Sequence, residues 1–441
     1  MKKALYYFIS LVTICLLTGC NGGGRKQKRG DLLPTDTTEV SRPANTIKPV
    51  VNVYIENSGS MDGYVKGETD FEHAVYGYLS DIKITDIADD VNLFYINSKI
   101  IPYGNNIKDF IDKLEPSTFK NRGGNRGETD IDSLLKMILD KTNDNTVSIL
   151  VSDCVFSPGK GKNASEYLVN QQIGIKTNVA EHIKRYPGTA FVIYRLNSQF
   201  NGAYYNCYNE KTQINDRRPF FIWLIGNVDR IKILSKKIPP DSFKGSGVTH
   251  SYTLLPLAHE IDYSVQLSPK FGNFKLSREK GKTKTDILNA ERASKGLNKG
   301  KFMFSVGADF SDLQTLLGKE YLNNPDNYAL TINTRPSDAF VLTISENTGT
   351  NSKYTHRIQL TATQKIPTGD VEIALVNKEP DWIKDKNDDS GLNIKADDAM
   401  DKTYGIKYLT GGIEDAYNTV LKEKKETSYL PYAKLKVKIS K

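Results

Sequence analysis

The chain has 441 residues, 38% of them hydrophobic, with 60 lysines and arginines against 52 aspartates and glutamates, for a formal charge of +8. That length leaves room for more than one domain, and the hydrophobic share is ordinary for a chain that buries its own core. Spread over the whole sequence, the small basic excess forms no patch of the kind that tracks a phosphate backbone, so no nucleic-acid partner is expected. Beyond the first twenty residues no stretch is long and apolar enough to span a bilayer, which argues against a membrane-embedded body.

The N-terminus reads MKKALYYFISLVTICLLTGC. Two lysines precede an apolar run from Ala4 to Leu17, and the small residues Thr18 and Gly19 lead into Cys20. Residues 1–19 have the layout of a secretory signal peptide. LTGC resembles the bacterial lipobox, which implies that Cys20 is acylated and anchors an envelope lipoprotein to the membrane. Asn21 stands where inner-membrane retention would call for aspartate, so the resemblance implies the outer membrane. Residues 20–47, with GGGRKQKRGD at 22–31, lack apolar periodicity and read as a flexible tether. Its basic residues either rest on anionic headgroups or are simply solvated.

Next comes VVNVYIE (50–56), a β-branched and aromatic run suited to a buried strand. Phe71 to Leu79 has helical character, and Thr69 and Glu72 have the spacing of a capping box. VNLFYIN (91–97) predicts a second strand, and SKIIPYG after it a short edge strand. Ile107, Phe110, Ile111 and Leu114 fall at helical spacing, and a glycine-rich loop, NRGGNRGETD (121–130), leads into another helix carrying Ile131, Leu134, Leu135 and Ile138. VSILVSD (147–153), a helix over 165–186, AFVIYRL (190–196), FFIWLIG (220–226) and a helix over 228–237 complete the alternation. Apolar strands separated by helices predict a doubly wound α/β domain over 48–240 with a mostly parallel sheet. Ligands of such folds sit at the carboxyl ends of the strands.

From 241 the pattern changes to period two. Phe302, Phe304 and Val306 alternate, as do Ile358, Leu360 and Ala362, and Leu435, Val437 and Ile439 alternate with Lys434, Lys436 and Lys438. Strands near 328–333, 338–345 and 371–377 and helices at 311–322 and 412–424 make 241–441 a β-rich, sandwich-like α+β domain. A lysine-rich stretch, 279–299, reads as a loop. Nothing in this half assigns a chemistry.

The first strand stops at Glu56 and is followed by Ser58 and Ser60, so it ends either in a polar turn or in a set of oxygen ligands. Asp153 closes the strand 147–153, and Thr129 lies in the glycine-rich loop. Carboxylate and hydroxyl oxygens gathered at one sheet edge suit a hard cation such as Mg²⁺. In this order the elements ENSGSM, GETDI and VSDC resemble the metal-ion-dependent adhesion site of the von Willebrand factor type A family. That site is written D-x-S-x-S after the first strand, a threonine in a glycine-rich loop, and an aspartate ending the fourth strand. The resemblance covers about half of the chain. It implies a Rossmann-like vWA domain and a metal held by Glu56, Ser58, Ser60, Thr129 and Asp153. It further implies a non-catalytic role and a protein partner whose acidic residue reaches the ion. Glutamate in place of the family's aspartate is one methylene longer; it either weakens Mg²⁺ or shifts preference toward Ca²⁺ or Mn²⁺, or leaves a degenerate site without metal.

The competing reading is a metal-assisted hydrolase of phosphate or sulfate esters, for which Asp62 and Asp130 are the nearby candidate bases. No G-x-S-x-G elbow, H-E-x-x-H pair or Cys/His cluster occurs, and His73 falls inside a helix. DKNDDSG (385–391) departs from a calcium loop, with its glycine one place late and Ala396 at the twelfth position. Phe200, Tyr204, Tyr205 and Tyr208 (in QFNGAYYNCY) either contact a partner or pack within a hairpin. Cys154 and Cys207 are either a disulfide or two separate thiols.

Overall fold

The computed structural model describes residues 48–127, 130–159, 161–256, 258–277, 285–347, 352–392, 394, 399–421 and 430–440. The signal peptide, Cys20, the tether and Thr129 lie outside the described residues.

Seven strands form the first sheet: β1 (Val50–Glu56), β2 (Asp90–Ile96), β3 (Ile100–Gly104), β4 (Thr146–Ser152), β5 (Thr189–Tyr205), β6 (Lys211–Asn227) and β7 (Val248–Leu254), in the order β3-β2-β1-β4-β6-β5-β7. Between them run α1 (Asp70–Ile84), α2 (Ile107–Asp112), α3 (Pro116–Lys120), α4 (Ile131–Leu139), α5 (Ala164–Arg185) and α6 (Val228–Lys237). Each helix start follows its sequence. Thr69 accepts the Glu72 amide at α1, Asp130 the Ser133 amide at α4, and Asn163 the Ser165 and Glu166 amides at α5. Every residue of β4 is buried, because it lies between β1 and β6 in the middle of the sheet.

The sheet is mixed, not mostly parallel. Only β1–β2 and β1–β4 run parallel; the other four neighbouring pairs are antiparallel. The physical reason is a long hairpin. β5 and β6, 17 residues each, pair along their whole length, where the sequence showed two short apolar strands. Their turn is closed by Asn206, whose Oδ1 accepts the Tyr208 and Glu210 amides at 3.0 and 2.9 Å, and by Asn209, which adopts φ 64°.

The rest of the chain makes a β-rich assembly. Its strands are β8 (Tyr263–Phe271), β9 (Asn273–Leu276), β10 (Asp286–Glu291), β11 (Met303–Ala308), β12 (Tyr328–Ile332), β13 (Arg335–Pro336), β14 (Phe340–Glu346), β15 (His356–Ala362), β16 (Gly369–Val376), the short β17 (Asn387–Asp388) and β18 (Thr403–Tyr404), and β19 (Pro431–Ser440). One sheet has the order β13-β12-β16-β19-β10-β9 and a second β14-β15-β11-β8. The helix expected over 311–322 is broken into α7 (Ser311–Leu317) and α8 (Lys319–Asn323) at Gly318, whose φ of 80° no continuous helix accepts. After α9 (Asp381–Asp385), the last helix, α10 (Ile406–Leu421), lies along α5. There Gly412 comes so close that a Cβ would stand 2.8 Å from the Gln172 carbonyl oxygen, and Tyr417 donates its hydroxyl to the Thr189 carbonyl at 2.6 Å. The chain beyond 240 thus supplies both the edge strand β7 and a helix to the first layer.

Candidate functional site

β1, β2 and β4 run in one direction, so their carboxyl ends open on one edge of the sheet. Ile55 pairs with Val151, which sets Glu56 beside Ser152, and the Ser152 hydroxyl donates to Glu56 Oε2 at 2.5 Å. The same hydroxyl accepts the Cys154 amide at 2.7 Å. Cys154 itself adopts φ 52°, a costly conformation for a residue with a side chain, and this turns the chain sharply just after Asp153. Asp153 is 3% exposed, and its Oδ1 accepts the Val155 amide at 3.3 Å.

Arg126, which the sequence reading passed over, shapes the loop after β1. Its Nε donates to the Asn57 carbonyl at 2.7 Å and its Nη2 to the Ser58 carbonyl at 3.0 Å, and the same guanidinium pairs with Asp62. The Gly59 amide returns a bond to the Arg126 carbonyl at 2.9 Å. Asn97, at the end of β2, donates to Asn57 Oδ1 and to the Gly123 carbonyl, both at 2.9 Å, which straps the glycine-rich loop across the strand ends. Gly124 must be glycine here: its φ is 78°, and a Cβ would lie 1.9 Å from Asn97 Oδ1.

Held in this way, the Ser58 and Ser60 hydroxyls share a hydrogen bond at 2.9 Å, and Ser60 lies near enough to Asp153 to act on its carboxyl. Burial pushes the Asp153 carboxyl above the usual carboxylate range, while the Ser60 hydroxyl and the charge of Arg218 pull in the other direction. Neighbouring oxygens of an octahedral Mg²⁺ shell with bonds near 2.0–2.1 Å stand about 2.9 Å apart, so the serine pair has the spacing of two adjacent ligands. The residues present fit a hard divalent ion. Among the described residues no group of three or more His, Cys, Asp or Glu side chains is close enough to hold a metal, so an ion here depends on the serine hydroxyls.

The site opens into a cavity of about 170 Å³ whose lining includes Ser58, Ser60, Arg126, Phe156, Tyr205 and Asn209. The C-terminal half bonds to the chain around it. Phe156 donates its amide to the Tyr404 carbonyl at 3.4 Å, and the Cys207 amide bonds the Gly391 carbonyl at 2.9 Å.

Four of the five expected ligands, Glu56, Ser58, Ser60 and Asp153, lie at this edge; Thr129 falls outside the described residues. The aromatic set divides. Strand alternation turns Phe200 and Tyr204 inward, where Phe200 meets Tyr64 edge-on at 4.9 Å and Tyr204 lies under Arg218, so these two are packed and offer no surface to a partner. Tyr205 lines the cavity, and Tyr208, at the hairpin tip, is 45% exposed. Cys154 and Cys207 are separate buried thiols. Asp62 is held by Arg126 and Lys120, and Asp130 by the Ser133 amide and Gln171, so both candidate bases are already engaged. His73 is exposed on α1. In the 385–391 loop, Asp388 accepts the Ser390 and Gly391 amides and Asp389 pairs with Lys407.

Arg218 is the other residue that sequence reasoning missed. It is 2% exposed, and its only signal was an arginine pair, Arg217 and Arg218, set immediately before an apolar strand. No family model matches the chain, and no curated protein matches it.

Proposed function

We propose that this chain is a metal-dependent binding module of the von Willebrand factor type A kind, displayed by a lipid-anchored protein of the bacterial envelope. Glu56, Ser58, Ser60, Asp153 and Thr129 would serve the ion, with Mg²⁺, Ca²⁺ or Mn²⁺ as candidates, and Cys20 would carry the anchor and direct the chain to the outer membrane. The observation that carries this reading is the serine pair, 2.9 Å apart beside a buried aspartate at the carboxyl edge of parallel strands. When bound, the ion supplies a positive site for an anionic group. The chain's own residues do the remaining work. Arg126 fixes the loop that aims Ser58, and Ser152 holds Glu56 on the β4 side. Tyr205 and Asn209 border the opening, where an acidic side chain of a protein partner would enter. With Asp62 and Asp130 engaged, a binding role is favoured over hydrolysis.

The test is co-purification from detergent-solubilised membranes in Mg²⁺ and in EDTA. A partner retained only with the divalent ion, and lost in Asp153→Ala, supports the reading. A partner retained equally in EDTA and by that variant overturns it.

A further inference from the structure

β7 is the last strand of the first sheet and pairs with a neighbour, β5, on one side only. Two side chains show which of its backbone groups face the other way. Trp382 Nε1 donates to the Ser251 carbonyl at 3.1 Å, and the Tyr432 hydroxyl donates to the Thr253 carbonyl at 2.5 Å. Both carbonyls therefore point away from β5. In an antiparallel pair a residue's amide and carbonyl lie on the same side, so the Ser251 and Thr253 amides face outward as well. Thr253 is covered, at 5% exposure, whereas Ser251 is exposed. Residues 248–251 border a cleft of about 820 Å³ whose lining continues through 317–321 and 378–382. That is within the range of about 300–1,000 Å³ typical of ligand sites.

An unpaired strand edge is a template for another strand, and folded proteins blunt it with charge, proline or cover. Residues 248–251 include no proline, lysine or carboxylate. The register shift at Thr249 leaves the Ser251 amide facing the cleft. The chain as a whole is basic, at +8, yet this cleft is acidic. Asp241, Glu320, Glu379 and Asp381 line it against Lys319 and Lys378, and Lys319 is drawn to Glu346 at 2.9 Å. Glu379 accepts the Thr410 hydroxyl at 3.2 Å. Asp241, Glu320 and Asp381 are exposed and have no ion-pair partner among the described residues.

We propose that this cleft docks an extended, lysine- or arginine-bearing segment of a partner protein, which adds as a strand beside residues 248–251 and sets its cations against Glu320 and Asp381. Main-chain pairing to Ser251 aligns the segment. Alternate side chains of an added strand fall on one face, so cations spaced two apart reach the same wall. The cleft shares no lining residue with the cavity at Ser58 and Ser60, and the inference does not rest on the metal reading.

The test titrates the whole chain, in non-ionic detergent, with a short end-capped peptide alternating lysine and valine, and with its glutamate counterpart. The chain has two tryptophans; Trp223 is 1% exposed inside the sheet and Trp382 lines the cleft, so tryptophan emission reports on the cleft. The lysine peptide should shift the emission and slow hydrogen exchange over residues 248–251, and the glutamate peptide should do neither. Each exposed ion pair is worth up to about fivefold, and charge reversal turns attraction into repulsion. The double variant Glu320→Lys, Asp381→Lys should therefore bind the lysine peptide about tenfold or more weakly. Ser251→Pro deletes the outward amide at a position where a strand edge accepts proline, and should also weaken binding. Should that variant fail to fold, the exchange measurement on wild type decides alone. Equal binding of the two peptides, no response to the lysine peptide, or binding that leaves exchange over 248–251 unchanged overturns the proposal. Exchange protection that grows with protein concentration in the absence of peptide assigns the edge to a second copy and overturns it too.

Discussion

Replacing Gly202 by alanine should disturb the site from behind. β5 crosses the 3-10 turn Ser60–Gly63 so closely that a Cβ on Gly202 would stand 2.6 Å from Gly63 Cα and 2.9 Å from the Gly63 nitrogen. Both are backbone atoms, so no side chain can swing aside. A Cβ on Gly63 would in turn lie 2.5 Å from the Phe200 ring, which leaves the turn no room to retreat. Overpacking of this kind costs about 1–3 kcal/mol. With an unfolding entropy near 2.1 cal/mol/K per residue, that corresponds to a Tm drop of roughly 1–4 °C for a chain this long. The relief lies in moving the turn that carries Ser60, so the variant should also lose part of its Mn²⁺-induced stabilisation. Differential scanning calorimetry with and without Mn²⁺ reads both effects. An unchanged Tm together with an unchanged ion response would refute the close approach and the argument that it positions Ser60.

Three further outcomes are expected. Burial lowers the His182 pKa to about 4, with Arg185 adding to the effect. The unfolded chain, titrating near 6.5, thus takes up the proton first, and stability present above pH 6.5 falls by roughly 3 kcal/mol as pH drops to 4. Urea midpoints at pH 7 and 4.5 should show that slope reduced in His182→Gln, and equal slopes in the two proteins would contradict it. Glu56→Asp restores the shorter carboxylate of the family pattern and should tighten Mg²⁺ in a calorimetric titration; weaker binding would show that the longer side chain is the one the site requires. Cys20→Ala should abolish acyl labelling and move the protein out of the membrane fraction, and an unchanged mass and unchanged fractionation would rule out the anchor.

The parts of the fold visible in the sequence were those set by local pattern. β1 and β4 read as buried strands because nearly every residue is apolar or β-branched, and α6 was delimited by the change from FFIWLIG to a charged, 3.6-periodic segment. The β5–β6 hairpin was not visible. Its outer halves, from Asn197 to Pro219, are mostly polar, and apart from Cys207 in the turn and Pro219 only Ser198, Phe200, Tyr204, Ile214 and Arg218 turn inward, so two long strands looked like two short ones and the sheet looked parallel. The serines and Asp153 could be singled out because their residue types and order carry a chemistry. Arg126, Ser152 and Arg218 could not, since each acts on a residue between 64 and 96 positions away and nothing local marks the contact. The way the C-terminal half reaches the site, through Tyr404 and Gly391, was hidden for the same reason.

The central claim, that Ser58, Ser60 and Asp153 form a divalent-ion site, is tested most directly by melting the whole chain in a titration of Mg²⁺, Mn²⁺ and Ca²⁺. An ion that binds only the folded state stabilises it by about 2.7 kcal/mol at a hundredfold excess over Kd, and that gain should saturate. Wild type should show such a rise with at least one of the three ions, and Asp153→Ala should show none. A wild-type melt that stays flat with all three contradicts the claim and leaves the serines as a polar turn.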